Sequence, residues 1–156
     1  MLIRPYRADD APVLAALYHA AVHGVGALHY TPDQVAAWSP APPDSHALGA
    51  RLGDGRLCLV ADGEDGQPVA FGDLEADGHI DLLYCRPDHA GTGVTASLYA
   101  ELERHARAGR MTSLFVEASE PARRFFLRQG FGVIERRDFP VNGVMIHNFR
   151  MEKRLG

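Results

Sequence analysis

The stretch His79-Ile80-Asp81-Leu82-Leu83-Tyr84-Cys85-Arg86-Pro87-Asp88-His89-Ala90-Gly91-Thr92-Gly93-Val94-Thr95 decides how the chain is read. Its first seven residues alternate. Period two puts Ile80, Leu82 and Tyr84 on one face of a strand and His79, Asp81, Leu83 and Cys85 on the other. Pro87 ends that strand, because proline has no N–H for a ladder. After the glycine turn, Val94, Leu98, Leu102 and Ala106 recur at four-residue spacing, one face of a helix. A strand, a tight glycine turn and a helix N-terminus together form a common seat for phosphate. The first helical N–H groups have no intrahelical partner, and the helix dipole favours negative charge there. We read Gly91 to Thr95 as a pyrophosphate seat.

Outward from this stretch, composition narrows the function classes. The 156 residues suit one domain with a core of its own, spanning 1–156. Hydrophobic residues make up 46% and charged residues 23%, ordinary for a globular protein. A net charge of −4 carries no basic excess to recruit nucleic acid or an anionic membrane. Cys58 and Cys85 fall in separate expected strands and suggest neither a disulfide nor a metal framework. Met1 to Pro5 lacks a signal-peptide h-region, and no run is expected to reach membrane-spanning length. The expectation is a cytoplasmic protein whose fold unit is a monomer, with a homodimer left open.

The remaining elements follow from caps and periodicity. Leu2 to Pro5 reads as a strand. Asp9 or Asp10, with Pro12, opens a helix through Leu14, Leu17, Ala21 and Val22 to Gly24. Thr31-Pro32 and Asp44 open two further helices, the first carrying Gln34, Val35 and Trp38. Arg56–Ala61 and Pro68–Leu74 read as strands, and Asp77-Gly78 as a hairpin turn into the His79 strand. Ser113–Ala118 is another strand. Pro121 starts a helix stopped by Gly130, and Phe131–Phe139 and Val144–Met151 pair around Asn142-Gly143. The order is β, helices, a β meander, then β-α-β-α-β-β. That order lacks the alternation of a doubly wound nucleotide-binding sheet, although Gly91 to Ala96 with Glu117 fits a dinucleotide fingerprint.

The same order, with the line Ser119-Glu120-Pro121-Ala122-Arg123-Arg124-Phe125-Phe126-Leu127-Arg128-Gln129-Gly130-Phe131, resembles the GNAT superfamily of acyl-CoA-dependent N-acyltransferases. That superfamily's second signature runs Asn-x-x-Ala-x-x-Phe-Tyr-x-x-x-Gly-Phe. The resemblance spans nearly the whole chain. Tyr30-Thr31-Pro32-Asp33-Gln34 with Trp38, and the ending Met151-Glu152-Lys153, resemble one bacterial branch. It implies an α/β (α+β) fold with a mixed, mostly antiparallel central sheet that splays at its centre and carries helices on both faces. It also implies acetyl-CoA as co-substrate, no metal, and a small-molecule or peptide amine as acceptor. Leu83, Tyr84 and Cys85, the turn residues Ala90, Gly91, Thr92, Gly93, Val94 and Thr95, and Ser119 and Phe126 would then hold the cofactor. Tyr30, Gln34 and Trp38 would line the acceptor pocket.

Three positions depart from the superfamily's pattern. Ala90 stands where its pyrophosphate motif has Gln or Arg, and Thr95 where it has Gly or Ala. Losing a charge-assisted hydrogen bond costs on the order of 1.5–3 kcal/mol; Arg86, His89 and Arg128 are candidate replacements. Phe126 stands where the usual general acid is tyrosine. A positioned acid contributes roughly 10²–10⁴-fold, but a thiolate with a pKa near 8.5 needs less help than an alkoxide. The amine must also shed a proton. Asp81 or His79, directly or through water, is the expected base, with Glu117 a third candidate; the competing reading is a structural His–Asp contact or a solvated strand edge. His19 and His23 stand one turn apart without a third ligand and read as a packed or solvated pair. Cys85 reads as a small apolar residue, and Arg123 and Arg124 as a solvated helix face that could also meet the 3′-phosphate. The departures keep a non-catalytic acyl-CoA-binding module, and more distantly a dinucleotide-dependent oxidoreductase, as the alternatives to an N-acetyltransferase.

Overall fold

Strand β3 (Pro68–Leu74) is buried at all seven positions, which only a central strand with both faces covered can be. The computed structural model describes residues 1–156. β3 pairs antiparallel with β2 (Leu57–Asp62) and with β4 (Leu83–Cys85), and β2 pairs with β1 (Leu2–Pro5). A second antiparallel sheet has the order β5 (Ser113–Ala118), β7 (Val144–Arg154), β6 (Gly132–Val141).

Helices cover both faces. On one side α1 (Ala11–Gly24) and α3 (Ser45–Leu52) bury Leu14, Leu17, Leu48 and Leu52 against Cys58, Val60, Phe71 and Leu82. On the other, α4 (Val94–Ala108) and α5 (Glu120–Arg128) meet Leu59, Ala61, Leu114, Val116 and Met151. The alternation of Leu59 and Ala61 with Cys58 and Val60 between the two clusters is the period-two rule at work. α2 (Pro32–Trp38) packs Val35 against Ile146 of β7.

The two sheets touch at one parallel bridge, His79 to Phe115. There the amide of Ile80 donates to the Phe115 carbonyl at 3.0 Å, and the Phe115 amide to the Gly78 carbonyl at 3.0 Å. Gly78 has φ +94°, and a Cβ on it would lie 2.3 Å from the Ser113 carbonyl oxygen. Only glycine fits this contact. Beyond the bridge β4 and β5 diverge, and the gap opens the functional cleft. The mixed sheet expected from the sequence is thus two antiparallel sheets hinged by a parallel bridge.

Two expectations need correction. His79 to Cys85 is not one strand: only Leu83–Cys85 joins the ladder. The reason is Asp73, fully buried, whose carboxylate accepts the amides of Asp81 and Leu82 at 2.8 Å each. This side-chain bond displaces the ladder and turns the chain. Ile80 therefore packs in the α4 cluster while Leu82 packs in the α1 cluster. Also, the helical run Ala8–Leu28, 21 residues containing an 18-residue window of mean hydropathy 1.4, does reach membrane-spanning length. Its alanines raise the hydropathy, and it buries Leu14, Ala15, Leu17, Ala21 and Val22 inside the fold as a core helix.

Candidate active site

In the β3–β4 ladder, Asp73 donates to the Leu82 carbonyl and Arg86 to the Val69 carbonyl. Antiparallel pairing alternates, so the amides of Leu83 and Cys85 point away from β3, into the gap facing β5. Two cavities meet there, sharing Leu83, Tyr84, Trp38, Ser119 and Phe126.

The larger, about 420 Å³, runs from β4 past the glycine turn to α5. Gly91 (φ +77°) and Gly93 (φ +89°) turn the backbone into α4. The amides of Gly91, Gly93, Val94, Thr95 and Ala96 donate to no group in the protein. Five free donors around a concave turn at a helix N-terminus fit a diphosphate. Ala90 and Thr95 line this cavity, and so do His89 and Arg128. Arg128 makes no ion pair within the chain, whereas Arg86 is tied to Asp88 at 2.5 Å. Of the three candidate replacements, Arg128 and His89 line the cavity, and His89 Nδ1 is also engaged by Asp88 at 3.0 Å, which leaves Arg128 as the free cation.

The turn contains two corrections. Thr92 lies outside this cavity: its hydroxyl donates to the His89 carbonyl at 2.6 Å and its amide to the same oxygen. Val94 is buried in the core at 4% exposure, so only its amide is available. Cys85 lines the cavity as a thiol: burial pushes its pKa up, and Sγ donates to the Arg86 carbonyl at 3.3 Å.

The smaller cavity, about 180 Å³, opens between β4, β5, α2 and the β6–β7 hairpin. Tyr30 and Trp38 line it. Their polar tips are engaged elsewhere. The Tyr30 hydroxyl donates to the His147 carbonyl at 3.0 Å and accepts from the Glu120 amide at 2.8 Å. Trp38 Nε1 donates to the Tyr18 hydroxyl at 3.1 Å. Gln34 is the third correction among the site residues. It lies outside both cavities because its side chain closes a capping box with Thr31 and donates to the Met145 carbonyl. Ser119 caps α5 through the Ala122 amide. Phe126, 2% exposed, packs between Phe125 and Phe131.

The acid–base groups are arranged differently from the expected His79–Asp81 pair on one strand face. His79 stacks on Phe115 with ring centroids 4.7 Å apart and bridges two carboxylates, Glu75 at 2.7 Å and Glu117 at 2.5 Å. Burial alone would lower its pKa, but the bonds to Glu117 and Glu75 outweigh it and raise the value. Asp81 lines the smaller cavity yet is held by Arg51 at 2.5 Å and Arg56 at 2.9 Å. Burial opposes its ionisation, but the two guanidinium groups dominate and hold its carboxyl below the ordinary range. Glu117 lines the same cavity and touches His79 beneath it.

Several of these residues escaped the sequence reading. Asp73 is a charge inside an otherwise apolar run, Val69-Ala70-Phe71-Gly72-Asp73-Leu74, and that break in pattern was the available signal. Arg56, His147 and Asn148 carried none.

Two antiparallel sheets splayed over a glycine turn, with two confluent cavities at the split, define an acyl-CoA N-acyltransferase fold. The family model described as an Acetyltransferase (GNAT) domain matches residues 27–153. The chain belongs to that family. A curated Escherichia coli K12 protein described as the uncharacterized N-acetyltransferase YafP is 29% identical over 149 residues, covering 96% of this chain and 93% of that one. The crystal structure of a GCN5-related N-acetyltransferase from Rhodopseudomonas palustris superposes with a TM-score of 0.90 at 37% identity, covering 99% and 95% of the two chains. The PaiA N-acetyltransferase of Thermoplasma acidophilum, solved with coenzyme A, shares the fold with a TM-score of 0.79 at 18% identity, over 99% and 98%.

Proposed function

We propose that this chain transfers the acetyl group of acetyl-CoA to the primary amine of a small molecule or peptide by direct attack. The carrying observation is the meeting of the two cavities beside the free Leu83 and Cys85 amides. The larger cavity, with its five unpaired amides, Arg128 and His89, takes the coenzyme; the Thermoplasma relative's bound coenzyme A supports this. The smaller one takes the amine. The free amides of β4 stabilise the negative charge that develops on the thioester oxygen. Nitrogen forms the new bond to the carbonyl carbon, the C–S bond breaks, and the thiolate leaves to be protonated by water, since Phe126 offers no proton. Cys85, held as a thiol, takes no acyl group.

The entering ammonium must lose one proton before its lone pair can attack and a second once the bond to carbon forms, so the base that passes them to solvent must face the cleft. Among the three expected candidates, the reading favours Glu117. Asp81 is kept ionised by two arginines and is therefore a weak base, and both ring nitrogens of His79 are taken by carboxylates. His79 acts as a positioning residue beneath Glu117, and Asp81 draws the ammonium into the cavity. The reaction draws on cytoplasmic acetyl-CoA, which is the compartment we propose.

Calorimetry with acetyl-CoA, followed by thiol release on an amine panel, tests the reading. Binding with turnover on at least one amine is expected. Binding with no thiol release from any amine would instead leave an acyl-CoA-binding module.

A further inference from the structure

Resting on the transferase reading above, we propose that the acceptor is a compact aralkyl or branched-alkyl primary amine that carries no carboxylate and no second charge. Three observations on the smaller cavity converge on this class.

The first is its wall. Tyr30, Trp38, Tyr84, Phe139, Val141 and Ile146 form most of the lining away from the thioester position. The hydroxyl of Tyr30 and the indole N–H of Trp38 are consumed by His147, Glu120 and Tyr18, so these rings offer a ligand apolar surface only. Tyr30 and Trp38 pack against each other edge to face, centroids 5.6 Å apart, and so fix each other's orientation in the wall.

The second is charge. Asp81 and Glu117 line the cavity, and no lysine or arginine does. An ammonium is drawn in; a carboxylate or phosphinate on the same molecule would be buried without a counter-ion and beside two like charges, a costly arrangement. A polyamine's second ammonium would lose its hydration in the cavity away from the two carboxylates.

The third is size. A cavity of about 150 Å³ lined by aliphatic and aromatic groups accommodates benzene, and this one measures about 180 Å³. One ring and a short aminoalkyl arm fill it. An aminoglycoside or a peptide would have to extend beyond it.

The test is the initial rate of thiol release from acetyl-CoA with benzylamine, 2-phenylethylamine and isoamylamine, set against phenylalanine, spermidine and a hexapeptide. The expected kcat/KM for the first three exceeds that of each of the others by about a hundredfold or more, as burial of an unpaired charge requires. Phenylalanine differs from 2-phenylethylamine only by its carboxylate, so that pair isolates the charge argument. Preference for phenylalanine, spermidine or the peptide overturns the proposal while leaving the transferase standing; silence with every amine removes the transferase itself. Val141→Arg places a cation in the lining near the exposed hairpin and is expected to move the phenylalanine to 2-phenylethylamine ratio toward phenylalanine by about tenfold or more. An unchanged ratio in a folded variant also overturns it.

Discussion

Glu117 and Asp81 face the same small cavity, and their surroundings are the ground for the different roles proposed for them. Glu117 meets His79 below and the more distant Arg137 at 3.9 Å, while Asp81 is clamped by Arg51 and Arg56. Removing a general base costs roughly 10²–10⁴-fold, and Glu117→Gln is expected to lower kcat within that range with little change in the acetyl-CoA KM. Asp81→Asn should instead raise the KM for the amine and leave kcat within about tenfold, because it removes uniform attraction rather than a proton acceptor. Steady-state kinetics of the two variants separates the roles: a larger kcat loss in Asp81→Asn would return the base to Asp81. This distinction was not legible in the sequence. Asp81 and His79 stood out because they neighbour the glycine turn, whereas Arg51, Arg56, Asp73 and Glu117 come from four other segments and meet only through the fold.

At the scale of elements, most of what could be read locally was read correctly; Asp10 is an exception, standing at the N-cap of α1 with its carboxylate bonded to Arg4 and not to the helix. The caps at Thr31 and Asp44, the Pro68–Leu74 strand and the Val94 helix all rest on neighbours within a few residues. The β4 segment failed because its register is set at long range, by the Asp73 carboxylate and by Phe115 of the other sheet. Turn Ala90 to Thr95 joins β4 to α4, and its backbone rather than its side chains offers the free donors on which the proposed coenzyme seat rests. Gly93 caps α4 in the left-handed region, at φ +89°. Any L side chain there is strained by roughly 1–2 kcal/mol, so Gly93→Ala should lower thermal stability and weaken acetyl-CoA binding together. Ala90→Arg tests the converse. It adds a guanidinium to the cavity that Arg128 and His89 already line, and one charge-assisted bond is worth on the order of 1.5–3 kcal/mol. Calorimetry should show acetyl-CoA binding tighter by about tenfold or more, most clearly at low salt. No gain would mean that Arg128 and His89 already saturate the phosphates.

Over the whole molecule, two groups of charges set opposite limits on stability as pH changes. Glu103 on α4 joins the halves by meeting Lys153 of β7 at 2.5 Å and Tyr99 at 2.7 Å. Burial would raise its pKa, but Lys153, Tyr99 and Arg107 prevail and hold it at about 2. Arg4 likewise holds Asp10 below the ordinary range. A carboxyl depressed in the folded state contributes stability above its unfolded pKa, near 4.3 for Glu, and loses it as pH falls through the folded value. His79 runs the other way. Its pKa is raised by Glu117 and Glu75 against the opposing effect of burial, so its contribution is complete below about 6.5 and fades as pH rises through the folded value. Thermal melts across pH should therefore peak between about 4.5 and 6.5. Glu103→Gln should lower the melting temperature at neutral pH and flatten the acid limb between about 4.5 and 2. His79→Gln should flatten the alkaline limb and leave the acid one in place. If both variants shift every pH equally, the two charge groups are mere packing, and the pH dependence originates elsewhere in the chain.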